Sequence, residues 1–217
     1  MTFKAKLIAV TKPVSVEGME TVQDLIGYCA RVSNPSNQMN FETSQKLTNY
    51  LMKHKHWSPM EMANVVVEVE APRDIARQLL RHRSFAFQEF SQRYADVTQL
   101  EKSFCIRELR LQDTKNRQNS LQTDDEYLKA EWETKQREIL NIVQEHYNWA
   151  INAGIAKEVA RVILPEGLTM SRLYVNGTIR SWIHYLEVRM EQGVTQKEHV
   201  ELATLIAEQI NQVFKVT

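Results

Sequence analysis

Apolar and polar positions alternate along this chain with two periods. Residues 6–10 read as a short first strand. Residues 63–70 read as a second, with Val65, Val67 and Val69 alternating against Asn64, Val66, Glu68 and Glu70. Helical spacing marks residues 21–32, through Val22, Leu25, Ile26, Cys29 and Ala30, and residues 43–54, through Leu47, Tyr50 and Leu51. Pro72 stands where a helix favours proline, and Ile75, Ala76, Leu79 and Leu80 extend from it as an apolar stripe. The polar stretch 99–125, rich in Gln, Asn and Lys, predicts a long surface excursion and a candidate mobile one. Residues 126–153 predict a long amphipathic helix carrying Tyr127, Trp132, Ile139, Val143 and Tyr147, stopped by Gly154. A short helix over 156–164 ends at Pro165, and 168–175 reads as extended. Helices follow over 179–189 and 195–214, the second opening with Thr195 and Glu198 at capping-box spacing. Strands and helices mixed without strict βαβ alternation predict an α+β fold.

Bulk composition narrows the class. The 217 residues carry 27 basic and 27 acidic side chains, which suits one globular domain over 1–217 and argues against general nucleic-acid binding. The two cysteines, Cys29 and Cys105, form no CxxC and predict neither a disulfide framework nor a metal site. No apolar run approaches the roughly 20 residues of a membrane span. The first ten residues lack a signal-peptide pattern, so the expected compartment is the cytoplasm.

Against that neutral background one stretch stands out. Residues 81–94 read Arg-His-Arg-Ser-Phe-Ala-Phe-Gln-Glu-Phe-Ser-Gln-Arg-Tyr. Arginine is always charged, and its planar fork of donors fits a phosphate in two-point contact. Crowding Arg73, Arg77, Arg81, Arg83 and Arg93 together costs self-repulsion, which a small phosphorylated ligand would offset. On the helix from Pro72, Gln78 shares a face with Arg81 and His82; the competing reading is an ordinary solvated face. If 89–94 is extended, Glu89, Ser91 and Arg93 point together, as a ligand-binding set or as a salt-bridged edge strand. Ser91 lacks a neighbouring base and the G-x-S-x-G elbow, so a nucleophilic role is disfavoured. His54 and His56 have no acidic or cysteine partner at metal-ligand spacing, and His54 suits a helix end. Arg161 lies among apolar residues and needs either a carboxylate or an anion if buried. Arg180 and His184 are four apart on one helix, and Arg189 falls at its end. The six glycines form neither G-x-G-x-x-G nor a Walker loop.

Arg81-His82-Arg83, seven residues, then Ser91 resembles the signature of flavin-dependent thymidylate synthases. The surrounding segments agree in order: 30–33, 54–61, 75–78, 89–94, 160–165, 179–182 and 186–189. The resemblance implies a homotetramer whose active sites lie between subunits. It implies FAD as cofactor, NADPH as reductant and 5,10-methylenetetrahydrofolate as carbon donor, converting dUMP to dTMP and releasing tetrahydrofolate, with no cysteine nucleophile. Carried over by position, Gln78, Arg81, Glu89, Phe90, Ser91, Gln92, Arg93, Arg161 and Arg189 would bind dUMP, with Arg189 catalytic through its charge beside the pyrimidine. Ser33, Ser58, Glu61, Arg81, His82, Arg83, Glu89, Thr178, Arg180 and His184 would contact FAD, and His56 would face the folate. Thr178 replaces an asparagine frequent in the family, and Val194 a histidine. The rival reading is an inactive flavin- or nucleotide-binding module, against which Arg189 and Ser91 are retained. The cysteine-dependent synthases are excluded because neither cysteine lies in a Pro-Cys-His context.

Overall fold

The structure is a computed structural model, described here for residues 3–216. Strand β1 (Lys4–Val10) leads to helix α1 (Val22–Ala30), which opens on a capping box: Thr21 Oγ1 accepts from the Asp24 amide, and Asp24 accepts from the Thr21 amide. Helix α2 (Ser44–Lys53) follows, with His54 as its C-cap. Strand β2 (Asn64–Pro72) runs directly into helix α3 (Arg73–Leu80). Pro72 closes the strand and caps the helix, two residues later than the alternation alone indicates. Strand β3 (Ala86–Glu89) comes next. A small hairpin, β4 (Leu111–Gln112) and β5 (Ser120–Leu121), precedes the long helix α4 (Glu126–Asn152) and the single turn α5 (Lys157–Ala160). Strand β6 (Met170–Thr178) and helices α6 (Ile179–Arg189) and α7 (Lys197–Ile210) complete the α+β fold.

The main sheet is antiparallel in the order β1-β2-β6-β3. Val65, Val67 and Val69 are fully buried on one face of β2, as their alternation requires. They join Trp182, Leu186, Leu202, Ile206 and Ile210 of α6 and α7 in the principal core. The Trp182 indole N–H reaches the Val65 carbonyl at 3.1 Å, so the buried ring leaves no donor unpaired. β6 runs three residues past the expected end because it pairs with β2 along its whole length, Met170 to Thr178.

Three expectations are corrected. Residues 89–94 are not extended throughout: the strand ends at Glu89, and the Ser91 carbonyl accepts from the Tyr94 and Ala95 amides in a tight turn. Glu89, Ser91 and Arg93 therefore do not share a strand face. The Thr195–Glu198 capping box does not form. Gln196 is the N-cap, Thr195 donates to the Val188 carbonyl, and Glu198 is held by Arg110 at 2.7 Å and Arg107 at 3.2 Å. Two guanidinium groups outbid one backbone amide for that carboxylate. The first part of the excursion 99–125 is pinned to the body of the fold. Leu100 and Cys105 are buried, the Arg107 backbone exchanges hydrogen bonds with the buried Gln136 amide, and the Arg107 side chain pairs with Asp74 at 2.9 Å.

Candidate functional site

Helix α3 carries cations at both ends. Arg73 and Arg81 stand eight residues apart, about 12 Å along the axis. The fold dictates that each end meets a different partner. The N-terminal end faces β3 and the 157–163 turn. The C-terminal end faces α6.

At the N-terminal end Arg73 pairs with Glu89 at 3.2 Å, and the Ser171 hydroxyl donates to the same carboxylate at 2.9 Å. Burial pulls the Arg73 guanidinium below its ordinary value, partly offset by Glu89, and Arg77 and Arg161 add repulsion. Arg77 pairs with Glu166. Arg93 turns away to Glu158 at 3.0 Å. Arg161 is half-buried and has no carboxylate within 4.0 Å among the described residues. Phe90 packs on the Leu100, Cys105 and Met170 cluster. Gln92 is buried, and its Nε2 has no hydrogen-bond partner. A buried amide donor without an acceptor is a marked exception to the usual rule. Ser91, half-buried in the turn, accepts only a long contact from the Arg93 amide, 3.4 Å.

At the C-terminal end the chain turns sharply through 81–85. Phe85 fixes this turn: its ring stacks on Trp182 at 4.4 Å between centroids and lies against Gly177. A Cβ at Gly177 would stand 2.2 Å from that ring, so glycine is required for close approach. The turn presents Arg81 and Arg83 to solvent, and among the described residues neither has a carboxylate within 4.0 Å. Arg189, at the end of α6, donates from Nε to His82 Nε2 at 2.9 Å. Burial first, then the charges of Arg189, His184 and Arg81, hold the His82 imidazole down at about 4. His82 is therefore neutral at physiological pH and can accept from Arg189. Burial and Arg81 also pull Arg189 below its usual value, against a favourable effect of Tyr185.

Two cavities open on α6. One, about 350 Å³, is lined by Trp57, Glu61, Ser84, Arg180, His184 and Glu187 among others. Arg180 and Glu61 form an ion pair across it, and Thr178 caps α6 by accepting from the Ser181 amide at its rim. The other, about 660 Å³, is lined by Gln78, His184, Glu187, Arg189, Thr195 and Gln196 among others. His184 and Glu187 belong to both walls. Among the sequence-derived candidates, Glu61, Arg180 and His184 thus share one cavity, and Gln78, His184 and Arg189 the other. Ser58 opens the short turn leading to Glu61. Ser33 is exposed after α1 and lines neither cavity. His56 is exposed and stacks with Tyr50 and His54, at 6.2 Å from each. Sequence reasoning missed Trp57, Ser171, Glu187 and Gln196. Trp57 and Glu187 lie within the family-like segments 54–61 and 186–189 without an assigned role there, and only tertiary packing brings Ser171 and Gln196 to the site. A larger cavity of about 730 Å³, between α7 and the excursion, holds none of the candidates. Among the described residues no three His, Cys, Asp or Glu side chains gather as metal ligands, and no helix is long and apolar enough to cross a membrane.

Comparison with known proteins identifies the family. A family model described as thymidylate synthase complementing protein matches residues 16–215. A probable flavin-dependent thymidylate synthase of Paramecium bursaria Chlorella virus 1 is 52% identical over 204 residues, covering 94% of this chain and 92% of the relative. A flavin-dependent thymidylate synthase of Synechocystis sp. is 47% identical over 200 residues, covering 91% and 89%. Among solved structures, a UMP/dUMP methylase, PolB from Streptomyces cacaoi, bound with 5-Br dUMP, superposes with a TM-score of 0.74 at 25% identity, covering 99% of this chain and 92% of that one. The chain belongs to the family of flavin-dependent thymidylate synthases.

Proposed function

We propose that this protein methylates dUMP to dTMP as a flavin-dependent thymidylate synthase, a single cytoplasmic domain acting as a homotetramer and needing neither membrane nor nucleic acid. The observation that carries the reading is that Arg81, Arg83 and Arg189 at the C-terminal end of α3, and Arg161 at its N-terminal end, are left without carboxylates on a chain with as many acids as bases. Uncompensated guanidinium groups of that kind are stabilised by bound anions.

The residues fit FAD. Arg81 and Arg83 offer free bidentate forks for a pyrophosphate, and Trp57, Arg180 and His184 line a cavity beside them. That cavity, about 350 Å³, takes one end of a dinucleotide; a neighbouring subunit would complete the site. Exposed Trp132, Ile139, Ile142 and Trp149 on α4, with Val159, Val162 and Ile163 after it, supply apolar surface for such an assembly. When bound, FAD reduced by NADPH supplies the reducing equivalents, while methylenetetrahydrofolate supplies the carbon, with His56 on its side.

The chain's own residues do the positioning. Gln78, Arg81, Arg161, Ser91 and the orphaned Gln92 amide hold the nucleotide phosphate and ring, and Glu89, braced by Arg73 and Ser171, accepts a ribose hydroxyl. Arg189, steered by neutral His82, places a fixed positive charge beside the uracil and favours the ring's ionised form. No thiolate is used. Burial pushes the Cys105 thiol up to about 11 and raises Cys29 as well, so neither is a ready nucleophile at neutral pH.

The test is incubation of the purified protein with dUMP, methylenetetrahydrofolate, FAD and NADPH. The expected result is dTMP and tetrahydrofolate. Tight dUMP binding without product would support the inactive module instead.

A further inference from the structure

Behind the cavity that contains Gln78 and Arg189 lies a buried polar chain whose His199 and Tyr185 have no part in the reaction described above. His199 of α7 is fully buried. Its Nδ1 is 3.2 Å from Gln78 Oε1, and its Nε2 is 3.1 Å from the hydroxyl of Tyr185, itself fully buried. Gln78 Nε2 donates in turn to Gln196 Oε1 at 2.8 Å. Each link constrains the next. With the Gln78 oxygen facing it, His199 carries its proton on Nδ1, because an amide oxygen can only accept. Its Nε2 then accepts from Tyr185 O–H. Burial first, then the charge of Arg189, holds the imidazole down at about 3, so the ring stays neutral throughout the working pH range.

The consequence falls on Gln78. Its oxygen is tied rearwards to His199, and one amide proton goes to Gln196. The second amide proton is left for the cavity that Arg189 also lines. A glutamine amide can be turned either way. Turned the other way it would offer its oxygen to an anionic ligand beside Arg189 and repel it. We infer that His199 is a positioning residue for nucleotide binding: its Nδ1–H fixes the Gln78 amide so that a donor, not an acceptor, meets the nucleotide. This rests on the proposal that dUMP occupies this cavity.

The test exploits two near-isosteres. Asparagine at 199 puts its amide nitrogen where Nδ1 stands and keeps the Gln78 link; glutamine reaches the Nε2 position and keeps only the Tyr185 link. Both lose a buried ring, so a merely structural role predicts equal effects. Steady-state kinetics and calorimetric dUMP binding are measured on both, with thermal midpoints alongside. Positioning predicts that His199→Asn raises KM and Kd for dUMP no more than about threefold, while His199→Gln raises them about tenfold or more, with kcat and the folate KM little changed. Tyr185→Phe removes the far link alone and should resemble His199→Asn. Equal dUMP affinity for the two variants at 199 overturns the inference while leaving the enzyme intact. A wild type that does not bind dUMP brings down both the inference and the function. If neither variant folds, two-bond ¹H–¹⁵N correlation of histidine-labelled wild type decides. An Nδ1-protonated, non-titrating His199 supports the inference, and an Nε2-protonated one overturns it.

Discussion

Arg107 and Arg110 differ from Arg81, Arg83 and Arg189 in one respect that decides their roles. The first pair meet carboxylates. Arg107 touches Asp74 and Glu198, and Arg110 touches Glu108 and Glu198, with both guanidinium groups mostly buried. Burial alone would push the Glu198 carboxyl up. The two arginines outweigh that and hold it at about 2. Charge there is internally neutralised and clamps the excursion to α3 and α7. The second set lie at the end of α3 and α6, where Arg189 meets neutral His82 and none of the three has a carboxylate within 4.0 Å among the described residues. Acids surround the first pair and make it a structural clamp; under the proposed function the second set, which lacks them, receives the ligands. Counting arginines along the sequence cannot separate the two; the placement of their counter-charges does.

The comparison breaks most sharply at Arg189. Arg189→Ala should lower kcat by about 100-fold or more, since fixed charge at a developing anion is worth that much. Flavin content and thermal midpoint should barely move. Normal turnover in that variant would remove Arg189 from the chemistry.

Arg110→Met should show the opposite signature. It strands Glu198 beside one remaining arginine, and losing one partner of a buried pair costs about 3–5 kcal/mol. Denaturant unfolding should record that loss, while the KM for dUMP of the folded fraction stays near the wild-type value. A variant as stable as the wild type would demote the clamp to decoration.

Gly177→Ala sits between the two. The new methyl collides with Phe85, which seats the turn bearing Arg81 and Arg83. Overpacking of this kind costs about 1–3 kcal/mol. Flavin retention should fall along with stability, and an unchanged flavin content would disconnect Phe85 from the cofactor turn.

Acid should act gently and in a set direction. His82 and His199 have folded values of about 4 and about 3, below the ordinary histidine value of about 6.5. Both therefore favour the folded state fully above about pH 6.5, and that contribution is lost as pH falls towards the folded values. Glu198 adds a further loss below about pH 4.5, towards about 2. Thermal midpoints should decline from pH 7 to 4, and His199→Asn should flatten the decline; an equally steep fall in that variant would exclude His199 as a source. The smallest effect is expected from Cys29→Ser combined with Cys105→Ala, which should keep most activity in the dTMP assay.

Much of this architecture was legible in the chain. The Val65, Val67, Val69 alternation gave a buried strand, and the capped, periodic runs gave the helices. The candidate residues around Arg81 followed from charge crowding and from a family signature. The failures have different physical sources. The turn after Glu89 is local, closed by the Ser91 carbonyl on the Tyr94 and Ala95 amides, whereas the lost cap at Glu198 is decided by distant partners, Arg107 and Arg110. Local pattern cannot see a competitor 88 positions away. His199 went unnoticed for the same reason, since nothing near it in sequence announces the amide it faces.

Under the proposed function, anionic ligands complete Arg81, Arg83, Arg161 and Arg189. A crystal structure with FAD and dUMP bound tests it most directly. Phosphate oxygens should lie within hydrogen-bond distance of Arg81, Arg83, Arg161 or Arg189, and none on Arg107 or Arg110. Both ligands seated with those four guanidinium groups still facing solvent would contradict it.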